Sequence, residues 1–184
     1  MTAWSPLAHV SDGIRERAAR VRLACFDVDG VMTDGGLYYS DGGHEAKRYH
    51  VHDGLGLKML MDSGVAVAVI TARSTPSVTR RMADLGIAQV FLGERDKLAR
   101  VRALAAEHQL SLDEVAFCGD DLPDHSAMCQ VGFAVTVPNA HALARSVAHW
   151  QTVQPGGAGA VRELCDLIIA AQGRMDAAIA RFAP

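Results

Sequence analysis

Aromatic side chains make up only 5% of this 184-residue chain, and its basic residues never gather into a block. With 18 Lys and Arg against 21 Asp and Glu, the formal charge is −3, which leaves no electrostatic footprint for nucleic acid or an anionic membrane. No stretch reaches the roughly 18 apolar residues of a membrane span, and Met1 to Arg22 lacks the apolar centre of a secretory leader. The four cysteines, Cys25, Cys118, Cys129 and Cys165, form no CxxC pair, so neither a disulfide framework nor a zinc site is expected. These absences leave a cytoplasmic protein whose specific partners are small molecules.

What is present is apolar sequence, 49% of the chain, enough for an ordinary core in one domain. Leu23 to Val28, Val65 to Ile70, Gln89 to Leu92, Val115 to Cys118 and Gly132 to Val135 read as strands. Their continuous hydrophobicity suits strands covered on both faces. Helical patterns alternate with them at Leu55 to Ser63, Pro76 to Leu85, Asp96 to Gln109, Pro123 to Cys129 and Ala140 to Ser146. The alternation predicts a doubly wound α/β domain around a parallel sheet. Residues 1–22 read as an extension and 23–184 as the single domain. Two segments interrupt the pattern. Around Ser40-Asp41-Gly42-Gly43, residues 37–50 read as a β-hairpin, and the glycine-rich 155–159 leads into a tail helix from about Ala160 that Gly173 interrupts.

In such sheets ligands bind beyond the carboxyl ends of the strands. Asp27-Val28-Asp29-Gly30-Val31 follows the first strand, Thr71-Ala72-Arg73 the second, and Gly119-Asp120-Asp121-Leu122-Pro123-Asp124 the fourth, with Lys97 opening the helix after the third. Carboxylates at neighbouring strand ends repel in a low-dielectric cleft unless a cation lies between them. Oxygen-only donors favour a hard ion, magnesium rather than zinc.

This ordered set resembles the four motifs of the haloacid dehalogenase superfamily. Within it, the phrases DVDGVMTDG, Asp53-Gly54-x-Gly56, ITAR, GDDLPD and GGxGAVRE resemble the 3-deoxy-D-manno-octulosonate 8-phosphate phosphatases. The resemblance implies a phosphomonoester hydrolase acting through an aspartyl phosphate on Asp27, with Asp29 as acid and base and Thr71 and Lys97 holding the phosphoryl group. It implies Mg2+ bound by Asp27, Asp29 through its carbonyl, and Asp120, with Asp121 and Asp124 acting from behind them. It further implies the phosphosugar of lipopolysaccharide biosynthesis as substrate, and a homotetramer with hairpins at its centre. Short gaps between the motifs leave no room for a separate cap domain, so neighbouring subunits are expected to wall the site.

The substrate-binding positions implied are Asp29, His50, Val51, His52, Asp53, Gly54, Lys58, Arg73, Arg81 and Lys97. Arginine suits a sugar-acid carboxylate through its planar fork of donors. Yet His50, His52, Lys58 and Ala158 stand where the family phrases carry Asn, Arg, Arg and Arg. At strand spacing His50 and His52 would share a face, which also raises a metal pair lacking a third ligand. Two alternatives stay open at this stage: a nonulosonate 9-phosphate as substrate, and a non-catalytic oligomerisation module.

Overall fold

The computed structural model describes residues 5–182. After helix α1 (Asp12–Arg20), the chain forms β1 (Leu23–Phe26), a hairpin of β2 (Tyr38–Tyr39) and β3 (Glu45–Ala46), α2 (Val51–Asp62), β4 (Ala66–Thr71), α3 (Pro76–Leu85) and β5 (Gln89–Leu92). There follow α4 (Lys97–Glu107), β6 (Val115–Cys118), α5 (Leu122–Met128), β7 (Phe133–Thr136), α6 (Ala142–Val147), β8 (Trp150–Gln151), α7 (Ala160–Ala171) and α8 (Met175–Ala180).

Six strands form one sheet in the order β5-β4-β1-β6-β7-β8, with every pairing parallel. The doubly wound expectation holds. Side chains of β1 alternate between two buried layers: Ala24 and Phe26 pack with Leu57, Leu60, Val78 and Leu164, while Leu23 and Cys25 pack with Val101, Leu104 and Met128. Both faces are therefore core, which is why the strands read as unbroken apolar runs. The chain leaves β1 toward β4 on one side and returns to β6 on the other. That reversal opens the crevice where such sheets bind ligands.

Three readings of the sequence change. Helix α2 starts at Val51, four residues before the expected Leu55, because Gly54 and Gly56 are poor helix formers taken up by packing. A Cβ at Gly54 would lie 2.4 Å from Arg81 Nη2, and one at Gly56 2.9 Å from Arg162 Cδ. Helix contact thus overrides intrinsic propensity. In consequence His50 occupies the N-cap position of this helix without a side-chain capping bond and His52 lies in its first turn, with ring centroids 4.8 Å apart and edge to face, so they are not a strand pair. The two-residue strand β8 escaped notice because so short a run carries no period. The segment before the sheet packs on the core through Ala18 of α1 and Val21 just after it, both fully buried.

The tail follows its expected course: α7 ends at Ala171, Gly173 adopts φ 68°, and α8 restarts at Met175. Cys25, Cys118 and Cys165 are buried free thiols and Cys129 is exposed. Among the described residues no helix is long and apolar enough to cross a membrane.

Candidate active site

Asp27 follows directly on β1, and its backbone N–H donates to Cys118 O at 3.0 Å, carrying the β1–β6 ladder one residue further. The side chain is thereby fixed at the floor of the crevice, only 6% exposed. Lys97, the first residue of α4, is equally buried. Its ammonium donates to Asp27 Oδ1 and to Asp124 Oδ1, both at 2.5 Å. Asp124 stands in the first turn of α5, where its Oδ2 accepts from the backbone N–H groups of Asp120 (3.0 Å) and Asp121 (3.2 Å). Those amides are helix-terminal donors with no partner inside the helix.

Both oxygens of Asp124 are therefore engaged, whereas Asp120 Oδ1 is buried without any hydrogen-bond partner. Carboxylate oxygens of Asp27, Asp120 and Asp124 lie within 4.8 Å of one another. Burial, and then the charge of Asp124, push Asp27 up to about 7 despite the opposing Lys97. Burial followed by Asp27, Asp124 and Asp121 push Asp120 up to about 8. An orphaned carboxylate oxygen beside a second raised carboxylate fits a hard divalent cation, which would occupy the missing donor's place and relieve the repulsion.

Room for the Asp120 side chain comes from Gly30. Its φ is +93°, and a Cβ there would stand 2.0 Å from Asp120 Oδ2. Thr71, at the end of β4, is buried and accepts from the Arg73 N–H at 3.2 Å. These residues line one small cleft with Asp29, Ala72, Arg73, Asp121 and Pro123, about 230 Å³ in volume.

The hairpin closes over its edge. Lys47 donates to Asp29 Oδ1 and sits 2.9 Å from Glu45 Oε1. Glu45 in turn accepts from Arg73 Nη2 at 2.5 Å. Sequence reasoning missed Glu45 and Lys47, although a glutamate in β3 with a lysine just beyond it, on a hairpin between acidic motifs, is a usable signal. It also missed Asn139, whose Nδ2 donates to Gly30 O (3.2 Å) and whose Oδ1 accepts from the Gly156 N–H (2.9 Å).

Residues 86–164 match the family model of haloacid dehalogenase-like hydrolases. Over 177 residues, the chain is 43% identical to the 3-deoxy-D-manno-octulosonate 8-phosphate phosphatase of Yersinia pestis, covering 96% of this chain and 93% of that one. The chain belongs to the 3-deoxy-D-manno-octulosonate 8-phosphate phosphatase family. Solved structures agree. That of the Moraxella catarrhalis phosphatase, in complex with magnesium, phosphate and a KDO molecule, superposes with a TM-score of 0.90 at 42% identity, covering 92% of this chain and 98% of that one. A hypothetical protein from Xanthomonas campestris gives 0.95 at 50% identity, covering 98% and 99%.

Not all positions that the family resemblance implied are gathered in the cleft of a single chain. Asp29, Arg73 and Lys97 line it. Asp53 instead is buried, its Oδ1 accepting from the Arg162 N–H at 2.8 Å, so it ties α2 to α7. Gly54 faces α3. Arg81 reaches back to the His50 carbonyl at 3.5 Å and lies 5.7 Å from the Tyr49 ring centre. Val51 and Lys58 are exposed on α2. His50 and His52 line a separate cavity of about 710 Å³, together with Ala158 and Arg162. Three of the four departures from the family phrases, His50, His52 and Ala158, thus share one wall. Their common location is a property of the fold, since 50–52 and 158 are distant in sequence.

Proposed function

We propose that this chain removes the phosphate of 3-deoxy-D-manno-octulosonate 8-phosphate, a step toward bacterial lipopolysaccharide in the cytoplasm, with Mg2+ as cofactor. One observation carries the chemistry: a buried Lys97 bridges Asp27 and Asp124 beside an unpartnered Asp120 oxygen. The nearly full-length identity to phosphatases of that name, and a solved relative holding magnesium, phosphate and KDO, support the substrate and metal.

In this reading an oxygen of Asp27 attacks phosphorus while the bond to the sugar oxygen breaks, and the phosphoryl group passes to the carboxylate. Asp29 gives the departing oxygen its proton. Water then attacks the aspartyl phosphate, Asp29 takes the proton back, and phosphate leaves with Asp27 restored. Thr71 and Lys97 hold the phosphoryl oxygens, where the ammonium compensates charge gathered in the transition state. Asp121 and Asp124 fix the loop and Lys97 from behind. Magnesium, held by Asp27, Asp120 and the Asp29 carbonyl, would neutralise phosphoryl charge and keep Asp27 ionised.

The assembly proposed is a homotetramer. Leu37, Tyr38 and Tyr39 on the hairpin are 46%, 51% and 63% exposed, and Val51 79%. Two-residue strands have little stability by themselves, and exposed aromatic rings call for a cover. Assembly would also place the His50 and His52 wall of one chain against another chain's cleft, giving these residues and Arg81 a route to substrate that a single chain lacks.

A phosphate-release panel tests the reading. Turnover of the octulosonate phosphate, lost with chelator and restored by Mg2+, is the expected result. Preference for a nonulosonate 9-phosphate would replace the substrate; no release from any phosphosugar or from p-nitrophenyl phosphate would leave only a non-catalytic assembly role. Light scattering checks the tetramer, and a fully active monomer would exclude it.

A further inference from the structure

Four charged side chains from three separate segments close a ring at the cleft's edge. Asp29 Oδ1 contacts the Lys47 ammonium, which lies 2.9 Å from Glu45 Oε1. Glu45 Oε2 lies 2.5 Å from Arg73 Nη2, and Arg73 Nε lies 3.8 Å from Asp29 Oδ2. Signs alternate around the ring. The Lys47 side chain has no solvent exposure, so it depends on these two carboxylates for its solvation. Among the described residues Lys47 makes the hydrogen bond to the Asp29 carboxylate, while Arg73 approaches Oδ2 only at 3.8 Å; Asp29 stands on a turn and is 21% exposed.

A proton donor acts only when its acidic oxygen is within hydrogen-bond reach of the leaving group. We propose that Lys47 is a positioning residue for Asp29, anchoring Oδ1 by a hydrogen bond so that Oδ2, which Arg73 approaches only at 3.8 Å, is left for the leaving sugar oxygen, with Glu45 holding Lys47 in place. This rests on the phosphatase reading above. Lys47 keeps its proton throughout; the one transferred runs between Asp29 and the sugar oxygen, then from water back to Asp29. The hairpin is then part of the acid–base apparatus as well as a surface for assembly.

The test compares two leaving groups in the full-length, Mg2+-loaded enzyme. p-Nitrophenolate departs without a proton, whereas a sugar alkoxide needs one. Lys47→Met is expected to lower the first-turnover rate of sugar release from the sugar phosphate by about 10²-fold while changing first-turnover release of p-nitrophenolate by less than about 5-fold; reading a single turnover sets aside the later water step, in which Asp29 serves both substrates alike. Lys47→Arg should recover most of the loss, and Glu45→Gln should show the same selectivity more weakly. Equal losses in the first-turnover rates of both substrates, no loss, or weaker binding with an unchanged first-turnover rate at saturation would overturn the proposal. If Lys47→Met fails to fold, the selectivity of Glu45→Gln and the activity of Lys47→Arg decide in the same terms. Absence of turnover by the unmutated enzyme on either substrate would instead refute the phosphatase reading.

Discussion

Lys97 Nζ lies 2.5 Å from Asp27 Oδ1, although the two residues are 70 positions apart in sequence. Neither side chain has much water around it, so Lys97 solvates Asp27, while Asp27 and Asp124 share the solvation of Lys97. The pair organises the crevice: it fixes the Asp27 carboxylate at the end of β1 and, through Asp124, the N-terminal turn of α5.

Asp27→Asn should abolish turnover, by roughly 10⁴-fold or more, while the protein stays folded. The amide is nearly isosteric, and losing one carboxylate relieves the repulsion from Asp124 that helps raise Asp27. Unchanged circular dichroism together with background phosphate release is the expected outcome. Substantial turnover by this variant would remove Asp27 as nucleophile.

Metal binding should depend on pH with a definite sign. Asp27 and Asp120 rise from an ordinary 3.8 to about 7 and about 8 without metal. A carboxyl raised on folding makes the folded state hold protons longer, so this contribution to stability is complete below the unfolded value and is lost as pH rises through 7 and 8. A divalent cation replaces those protons and binds better as they leave. Melting temperature in chelator should therefore fall between about pH 5 and about pH 8.5, while the increment given by Mg2+ grows. Calorimetric scans at several pH values measure both; an increment independent of pH would contradict the assignment of these carboxylates to the metal.

Lys97→Met leaves Asp27 and Asp124 facing each other without their shared cation. Breaking a buried ion pair by removing one partner costs about 3–5 kcal/mol, and activity should vanish with it. Urea unfolding reads the stability. A loss below about 1 kcal/mol would show that the carboxylates accommodate the change by protonation.

Gly156→Ala probes the tail from outside the cleft. A Cβ at this position would come 1.7 Å from Gly30 O and 3.0 Å from Thr33 O, both backbone atoms of the loop that follows Asp27. The expected result is a loss of about 1–3 kcal/mol from overpacking, with lower kcat because the displaced loop carries Asp29. Melting and steady-state kinetics together check it, and wild-type values for both would separate the tail from the site.

Much of the fold was legible because its strands are buried on both faces. β5 and β6 fall where the apolar runs lie, and β1, β4 and β7 agree except at their ends. Asp27, Thr71, Lys97 and Asp120 could be picked out because a parallel sheet directs its strand ends to one crevice. The start of α2 was not legible, since its glycines are explained only by the neighbours they admit, Arg81 on α3 and Arg162 on α7. Glu45 and Lys47 were passed over because their partners, Arg73 and Asp29, belong to other segments.

The sequence by itself determined the kind of sheet, the order of its elements and the acidic motifs, because these follow from local pattern and from spacing along the chain. Only the tertiary structure decided which groups meet: Lys97 with Asp27 and Asp124, Lys47 with Asp29, and Asp53 with the α7 backbone rather than the cleft. The physical reason is that charge pairing and burial act through space. A carboxylate's partner, and therefore its charge state and its task, is set by whatever the fold brings within about 3 Å.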